Sequence, residues 1–277
     1  MVNNFNTTAL GEILINDHKI TASDVDKILA VQKEKGLLFG EAAKSLKLIN
    51  DEDLLKALSR QYEYSYLSEK DDIVDAALDA AYRPFSAQVE ALRAVREQLV
   101  MRWFEHNKAL AIVGIDADEE RSLFIANLAI VFSQLGKKTL LIDSKLRKPT
   151  LNKLFKINNK LGVANLLSSR AEGKEILQPA PGFNNLTLLP AGAPPPNPSE
   201  LITHGFKNLL LQYENQFDVI LIDTDSSTLI MDAKIVAINC GAALLVAKQN
   251  ESPMYKIDAF KKDISELGCK LLGAILT

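Results

Sequence analysis

Over the last two-thirds of the chain, short unbroken apolar runs alternate with segments whose apolar residues recur at helical spacing. The runs ALAIVGI (109–115), KTLLID (138–143), LTLLPAG (186–192), VILIDT (219–224), ALLVAK (243–248) and KLLGAIL (270–276) are rich in Val, Ile and Leu. A run without polar alternation predicts a strand buried on both faces. Amphipathic stretches lie between the runs, including 123–135, 199–215 and 252–268. Strand and helix in alternation predict an α/β domain, a parallel sheet covered by helices on both faces, of the type that binds nucleotides.

The first 61 residues follow another period. LGEILINDHKITASDVDKILAVQ, starting at Leu10, recurs 29 positions later as FGEAAKSLKLINDEDLLKALSRQ, starting at Phe39. Gly11 and Gly40, Glu12 and Glu41, Ile20 and Ile49, Asp24 and Asp53, Lys27 and Lys56, Leu29 and Leu58, and Gln32 and Gln61 coincide. Each copy predicts a short helix, a turn and a second helix. Thr21 and Asn50 stand as N-caps, with Asp24 and Asp53 three residues on to complete a capping box. The expected organisation is a small all-α domain over 1–68, a linker with some helix over 69–85 and the α/β domain over 86–277. In the linker, Tyr62, Tyr64 and Tyr66 alternate as in an extended segment with one face packed; phosphate acceptors are the alternative reading.

Composition narrows the function. The chain has 277 residues, 47% hydrophobic and 24% charged, with a formal charge of −3 and no block of basic residues at either end. That balance argues against non-specific binding to nucleic acid or acidic lipid. Cys240 and Cys269 lie in apolar surroundings without a metal-binding spacing and are expected as buried, reduced thiols. No stretch reaches 18 apolar residues and the N-terminus has no signal-like pattern, so a cytoplasmic location without direct membrane insertion is expected.

Candidate chemistry centres on GIDADEERS, residues 114–122, between the first strand of the α/β domain and the helix that follows it. This is where a phosphate loop, G-x-x-x-x-G-K-[ST], would sit, and the stretch keeps its first glycine, Gly114, and its hydroxyl, Ser122. Such a loop works because glycines let backbone N–H groups turn onto the phosphates, while a cation neutralises charge and the hydroxyl holds magnesium.

From about Glu90 to Thr277 the chain resembles the bacterial tyrosine autokinases of exopolysaccharide synthesis, the chain-length-determinant subgroup related to the septum-placement ATPases. The resemblance rests on FIANLAIVFSQLGKKTLLIDSKLRKPTLNKLF, on LPAGAPPPNPSEL (189–201) and on FDVILIDTDSS. It implies a phosphate-loop NTPase-like fold, Mg-ATP or Mg-ADP as the ligand, and a set of site residues. Asp143 is the first acid of a D-x-D pair and Asp223 the Walker B acid; with Ser122 they would handle magnesium. Glu90, Arg93 and Arg96 match an E-x-x-R-x-x-R helix that joins subunits in relatives; a solvated helix with internal ion pairs is the other reading.

Several of these parts depart from the family pattern. Where relatives read P-G-[DE]-G-[KR]-S, this chain reads Ala117-Asp118-Glu119-Glu120-Arg121-Ser122, so both glycines are acids, and the second D-x-D acid is Lys145. At an effective dielectric of about 20, a like-charge contact at ~4 Å costs about 4 kcal/mol before screening. Arg121 keeps the charge of the usual Lys. Relatives often carry a C-terminal tyrosine cluster, whereas the last tyrosine here is Tyr255. A degenerate site follows as the expectation, in which Lys145 or Arg121 pairs with Asp118 or Glu120 and fills the phosphate space, and no nucleotide binds tightly.

The repeat resembles the N-terminal domain of type II secretion and pilus ATPases, some of which bind cyclic di-GMP through paired R-L-G motifs. Ala9 and Leu38 stand where those arginines would be. The resulting expectation is a pseudokinase of exopolysaccharide biosynthesis that regulates or scaffolds. Its expected partner is a membrane chain-length determinant protein or an active kinase paralogue, with self-association into a homo-oligomer. A working ATP-dependent tyrosine autokinase and a cyclic di-GMP sensor are the alternatives.

Overall fold

A computed structural model describes residues 5–62, 66–68, 72–115, 119–171, 173–226 and 231–277. The chain forms two compact units, 1–68 and 69–277.

In the first unit, the repeat becomes four helices: α1 (Phe5–Asn16), α2 (Ala22–Lys35), α3 (Phe39–Ser45) and α4 (Asp51–Tyr62). Equivalent positions of the two copies meet in one core: Leu10 with Phe39, Leu14 with Ala43, Ile20 with Ile49 and Ile28 with Ala57 are all buried. Both expected caps form. The Thr21 N–H donates to Asp24 Oδ2 at 3.1 Å, and the Asn50 N–H donates to Asp53 Oδ2 at 3.2 Å while the Asp53 N–H donates back to Asn50 Oδ1 at 2.8 Å. The repeated glycine has a packing reason at its second occurrence, since a Cβ on Gly40 would lie 2.4 Å from Leu54 Cδ1. Tyr62 ends α4, so the expected extended segment starts later than that residue; Tyr64 lies outside the described residues, and Tyr66 is half-buried.

The second unit begins earlier than the expected boundary. Residues 72–85, read as linker from their acids and proline, are stitched onto it. Tyr82 Oη donates to the Val74 carbonyl at 2.9 Å, and helix α5 (Asp79–Tyr82) is held at Ala80, whose N–H donates to Asn127 Oδ1 at 2.8 Å. Val74, Leu78, Ala80 and Ala81 are fully buried, and that burial outweighs the polar composition around them.

Next come α6 (Ala87–Leu99), a π-helical turn (Val100–Phe104), β1 (Ala109–Gly114), α7 (Glu119–Gln134), β2 (Thr139–Asp143), three short helices α8 (Leu151–Leu154), α9 (Val163–Leu167) and α10 (Gly173–Ile176), β3 (Gln178–Pro179), β4 (Leu186–Leu189), α11 (Pro198–Tyr213), β5 (Val219–Ser226), α12 (Met231–Cys240), β6 (Ala242–Ala247), α13 (Met254–Glu266) and β7 (Lys270–Leu276). The seven strands form one sheet in the order β3-β4-β2-β5-β1-β6-β7. All pairings are parallel except β3 with β4. Alternate strand residues point to opposite faces. Ala111, Val113, Leu140, Ile142, Ile220 and Ile222 share a core with Phe206 of α11 and Val236 of α12, and the intervening residues face the other side, where α7 packs on β1, β2 and β5. Cys240 and Cys269 are buried free thiols, as expected.

Candidate nucleotide site

Three strand ends meet where the phosphate loop of this fold would lie. β5 pairs with both β1 and β2, so Gly114, Asp143 and Asp223 come together at the C-terminal edge of the sheet, with Asp143 and Asp223 in register as neighbours. Ligands of open α/β sheets bind at this edge. α7 starts above it and carries Glu120, Arg121 and Ser122. Asp118 lies outside the described residues.

Asp143 is completely buried and is held by main-chain donors: the Lys145, Thr150 and Leu151 N–H groups donate to it at 3.0–3.1 Å. Burial, and then the adjacent Asp223 carboxylate, push its pKa up to about 7. Asp223 is also completely buried and is met by the Arg121 Nε–H at 3.1 Å and by the Ser122 hydroxyl. Arg121 is 2% exposed. Its remaining space is a cavity beside Gly114, Val246 and Lys248 with room for about one water molecule.

Ser122 is the pivot of the site. Its hydroxyl donates to Asp223 Oδ2 and accepts from Lys145 Nζ at 3.0 Å and from Thr150 Oγ1 at 2.8 Å. Lys145 Nζ also donates to Thr150 Oγ1 at 3.2 Å. A hydroxyl has one donor and two acceptor sites, so Ser122 has no lone pair left for magnesium. As folded, the site is closed by the chain's own side chains. An ammonium lies next to the Ser122 hydroxyl, and a guanidinium takes up the Asp223 carboxylate. Two buried cations, Lys145 and Arg121, thus stand beside two buried acids, Asp143 and Asp223.

The expected pairing with Asp118 lies outside the described residues, and both cations find partners elsewhere in the site. Arg121 pairs with Asp223 and Lys145 with the two hydroxyls, whereas Glu120 faces Lys248 at 3.7 Å. The buried acids, being desolvated, attract the two cations more strongly than a half-exposed glutamate does. Thr150, which completes the network, was missed from sequence; its signal was its place in the loop directly after β2, next to Lys145. The same loop places Arg147 against Asp232 of α12 and Ser199 of α11. Asp225 sits near the cations with its pKa raised by burial, an effect that Lys145, Arg121 and Arg147 oppose.

The E-x-x-R-x-x-R residues are not presented on one exposed face. On α6, Glu90 is exposed and pairs with Arg93, whose guanidinium lies over the Phe85 ring at 5.8 Å. Arg96 is 5% exposed and donates to the Val131 carbonyl of α7 at 2.8 Å as well as to Glu97. A six-residue span turns Arg96 away from Glu90 and into the chain's own interior. Among the described residues, no group of three or more His, Cys, Asp or Glu side chains could hold a metal ion, and no helix is long and apolar enough to cross a membrane.

No family model matches the chain. Curated relatives do. The chain is 33% identical over 214 residues to a putative tyrosine-protein kinase in the cps region of Klebsiella pneumoniae, covering 76% of this chain and 29% of that protein. It is 32% identical over 199 residues to the putative tyrosine-protein kinase CapB of Staphylococcus aureus, covering 70% of this chain and 86% of that protein. It thus spans nearly all of the shorter relative and under a third of the longer one. Among solved structures, the chimerical protein CapA2B2 superposes with a TM-score of 0.68 at 26% identity, over 80% of this chain and 97% of that one. Matched over its α/β unit to such relatives, and sharing their phosphate-loop fold, the chain belongs to the tyrosine-protein kinases of capsule and exopolysaccharide synthesis.

Proposed function

We propose that this chain is a degenerate member of its family, which regulates or scaffolds polysaccharide synthesis without turning over Mg-ATP. One observation carries this reading: both lone pairs and the proton of the Ser122 hydroxyl are taken by Lys145, Thr150 and Asp223. Magnesium would have to displace an ammonium from a buried site, and that cost adds to the missing loop glycines. The partner under this reading is a membrane chain-length determinant protein or an active kinase of the same family, which would bring a cytoplasmic chain to the inner face of the membrane. The likeness to a CapA–CapB chimera supports a partner of that kind. The second reading, an active autokinase, draws on the names of the relatives and on the retained pair Asp143 and Asp223. Calorimetry decides between them. The scaffold reading expects no heat of binding from Mg-ATP or Mg-ADP, and a labelled tyrosine that disappears in Asp223→Asn would establish the kinase.

A further inference from the structure

The segment that follows β2 is unusually basic for this chain. Residues 144–170 contain seven Lys and Arg and no Asp or Glu, in a chain whose net charge is −3. The structure engages three of the first six cations and leaves three exposed. Lys145 is buried in the Ser122 network, Arg147 pairs with Asp232, and Lys156 pairs with Asp72. Lys148, Lys153 and Lys160 are exposed. None of these three makes an ion pair among the described residues. Lys148 and Lys153 converge on one recess, whose other walls include Pro149, Asn152, Asn159 and Pro194.

Three features distinguish this recess from an ordinary lysine-bearing surface. Its cavity volume is about 360 Å³, at the lower end of the range of small-molecule sites. Its walls are fixed: Asn159 Nδ2 donates to the Gly192 carbonyl at 3.0 Å and Oδ1 accepts from the Gly192 N–H at 2.9 Å. Behind them, a Cβ on Gly162 would lie 2.0 Å from the Pro190 carbonyl oxygen, so the two loops pack backbone to backbone. Within the recess, the buried Asn152 Oδ1 lacks a hydrogen-bond partner. Two unpaired ammonium groups around one concavity, with no acid in its lining, match a multiply charged oxyanion, and the Asn152 amide oxygen, an acceptor, matches a hydroxyl of the molecule that carries it.

We propose that this recess binds a phosphate ester borne by a small soluble molecule, with Lys148 and Lys153 as the charge contacts and the Asn152 amide as the orienting one. The proposal does not require nucleotide at the Gly114–Ser122 region, although Thr150, which also lines the recess, belongs to the Ser122 network. A lipid headgroup offers the same chemistry, but a recess framed by Pro149 and Pro194 suits a ligand that enters it more than a plane laid across it.

The test is an amide-shift titration of the full chain, free of magnesium, with inorganic pyrophosphate and separately with a hexose 1-phosphate. Expected are saturable shifts at residues 148–153 and at Asn159, with the dissociation constant raised about tenfold or more in Lys148→Ala with Lys153→Ala and kept in Lys148→Arg with Lys153→Arg. Should the double alanine variant lose its fold, Lys153→Gln alone, an exposed side chain with no ion pair to lose, serves the same purpose. Shifts confined to Gly114–Ser122, or an unchanged titration in the alanine variant, overturn the proposal. So does flotation with phosphatidylglycerol vesicles in the absence of any response to the soluble phosphates.

Discussion

Lys145 Nζ lies 3.0 Å from Ser122 Oγ, inside hydrogen-bonding distance of the hydroxyl that this fold uses for magnesium. The lysine and the metal therefore compete for one atom. Lys145→Asp combined with Asp118→Gly and Glu120→Gly is expected to restore measurable Mg-ATP binding by calorimetry, with none expected for the unmodified chain. A folded triple variant that still binds nothing would remove the lysine from the explanation.

Loss of Arg121 leaves the desolvated Asp223 carboxylate without its cation, and loss of Lys145 leaves the buried Ser122 and Thr150 hydroxyls without their charged donor. Arg121→Leu is expected to lower stability by about 3 kcal/mol or more, and Lys145→Ala by about 2 kcal/mol. Exposed Lys148→Ala is expected to stay within about 0.5 kcal/mol of the parent chain. Urea unfolding at constant slope measures both, and equal midpoints in all three variants would contradict the pairing.

Asp143 makes the stability depend on pH. Burial and Asp223 raise its pKa from 3.8 to about 7, so between these values the folded chain keeps a proton that the unfolded chain releases. Stability from this group is present at low pH and is lost as pH rises towards 7. Asp143→Asn removes the titration. The Tm difference, variant minus parent, should grow from pH 5 to pH 8 by thermal melts; a constant difference would show that Asp143 stays ionised throughout.

Arg96 braces α6 on α7, and Glu90 is the exposed member of the set. Arg96→Met is expected to cost about 2 kcal/mol, because it deprives a buried carbonyl of its charged donor, with the mass by light scattering unchanged. If α6 contributes to self-association, Glu90→Arg is the substitution that lowers that mass. A drop in mass with Arg96→Met at full stability would return Arg96 to the interface.

In the first unit, Leu38 stands at an arginine position of the cyclic di-GMP motif and is 71% exposed. With Ala9 and Leu38 at the two arginine positions, cyclic di-GMP at about 100 µM is expected to leave the thermal midpoint unmoved. A clear rise in the midpoint would make this unit a sensor.

The order of strands and helices, the two N-caps and the repeated core were legible in the sequence, because each depends on residues close together in the chain. Periodicity reports which face is buried, and a capping box spans only Thr21 to Asp24 or Asn50 to Asp53. The same local logic failed at 72–85, where polar composition hid Val74, Leu78 and Tyr82. The strand ends Gly114, Asp143 and Asp223 were placed by motif, and the sheet order brought them together as expected. The partners of Arg121, Lys145 and Arg96 were decided by tertiary structure alone. Arg121 is 102 residues from Asp223, and Lys145 is 23 from Ser122. A long cation takes its partner from the desolvated acids and hydroxyls within its reach, and which of them are desolvated is fixed only when the sheet closes over the site.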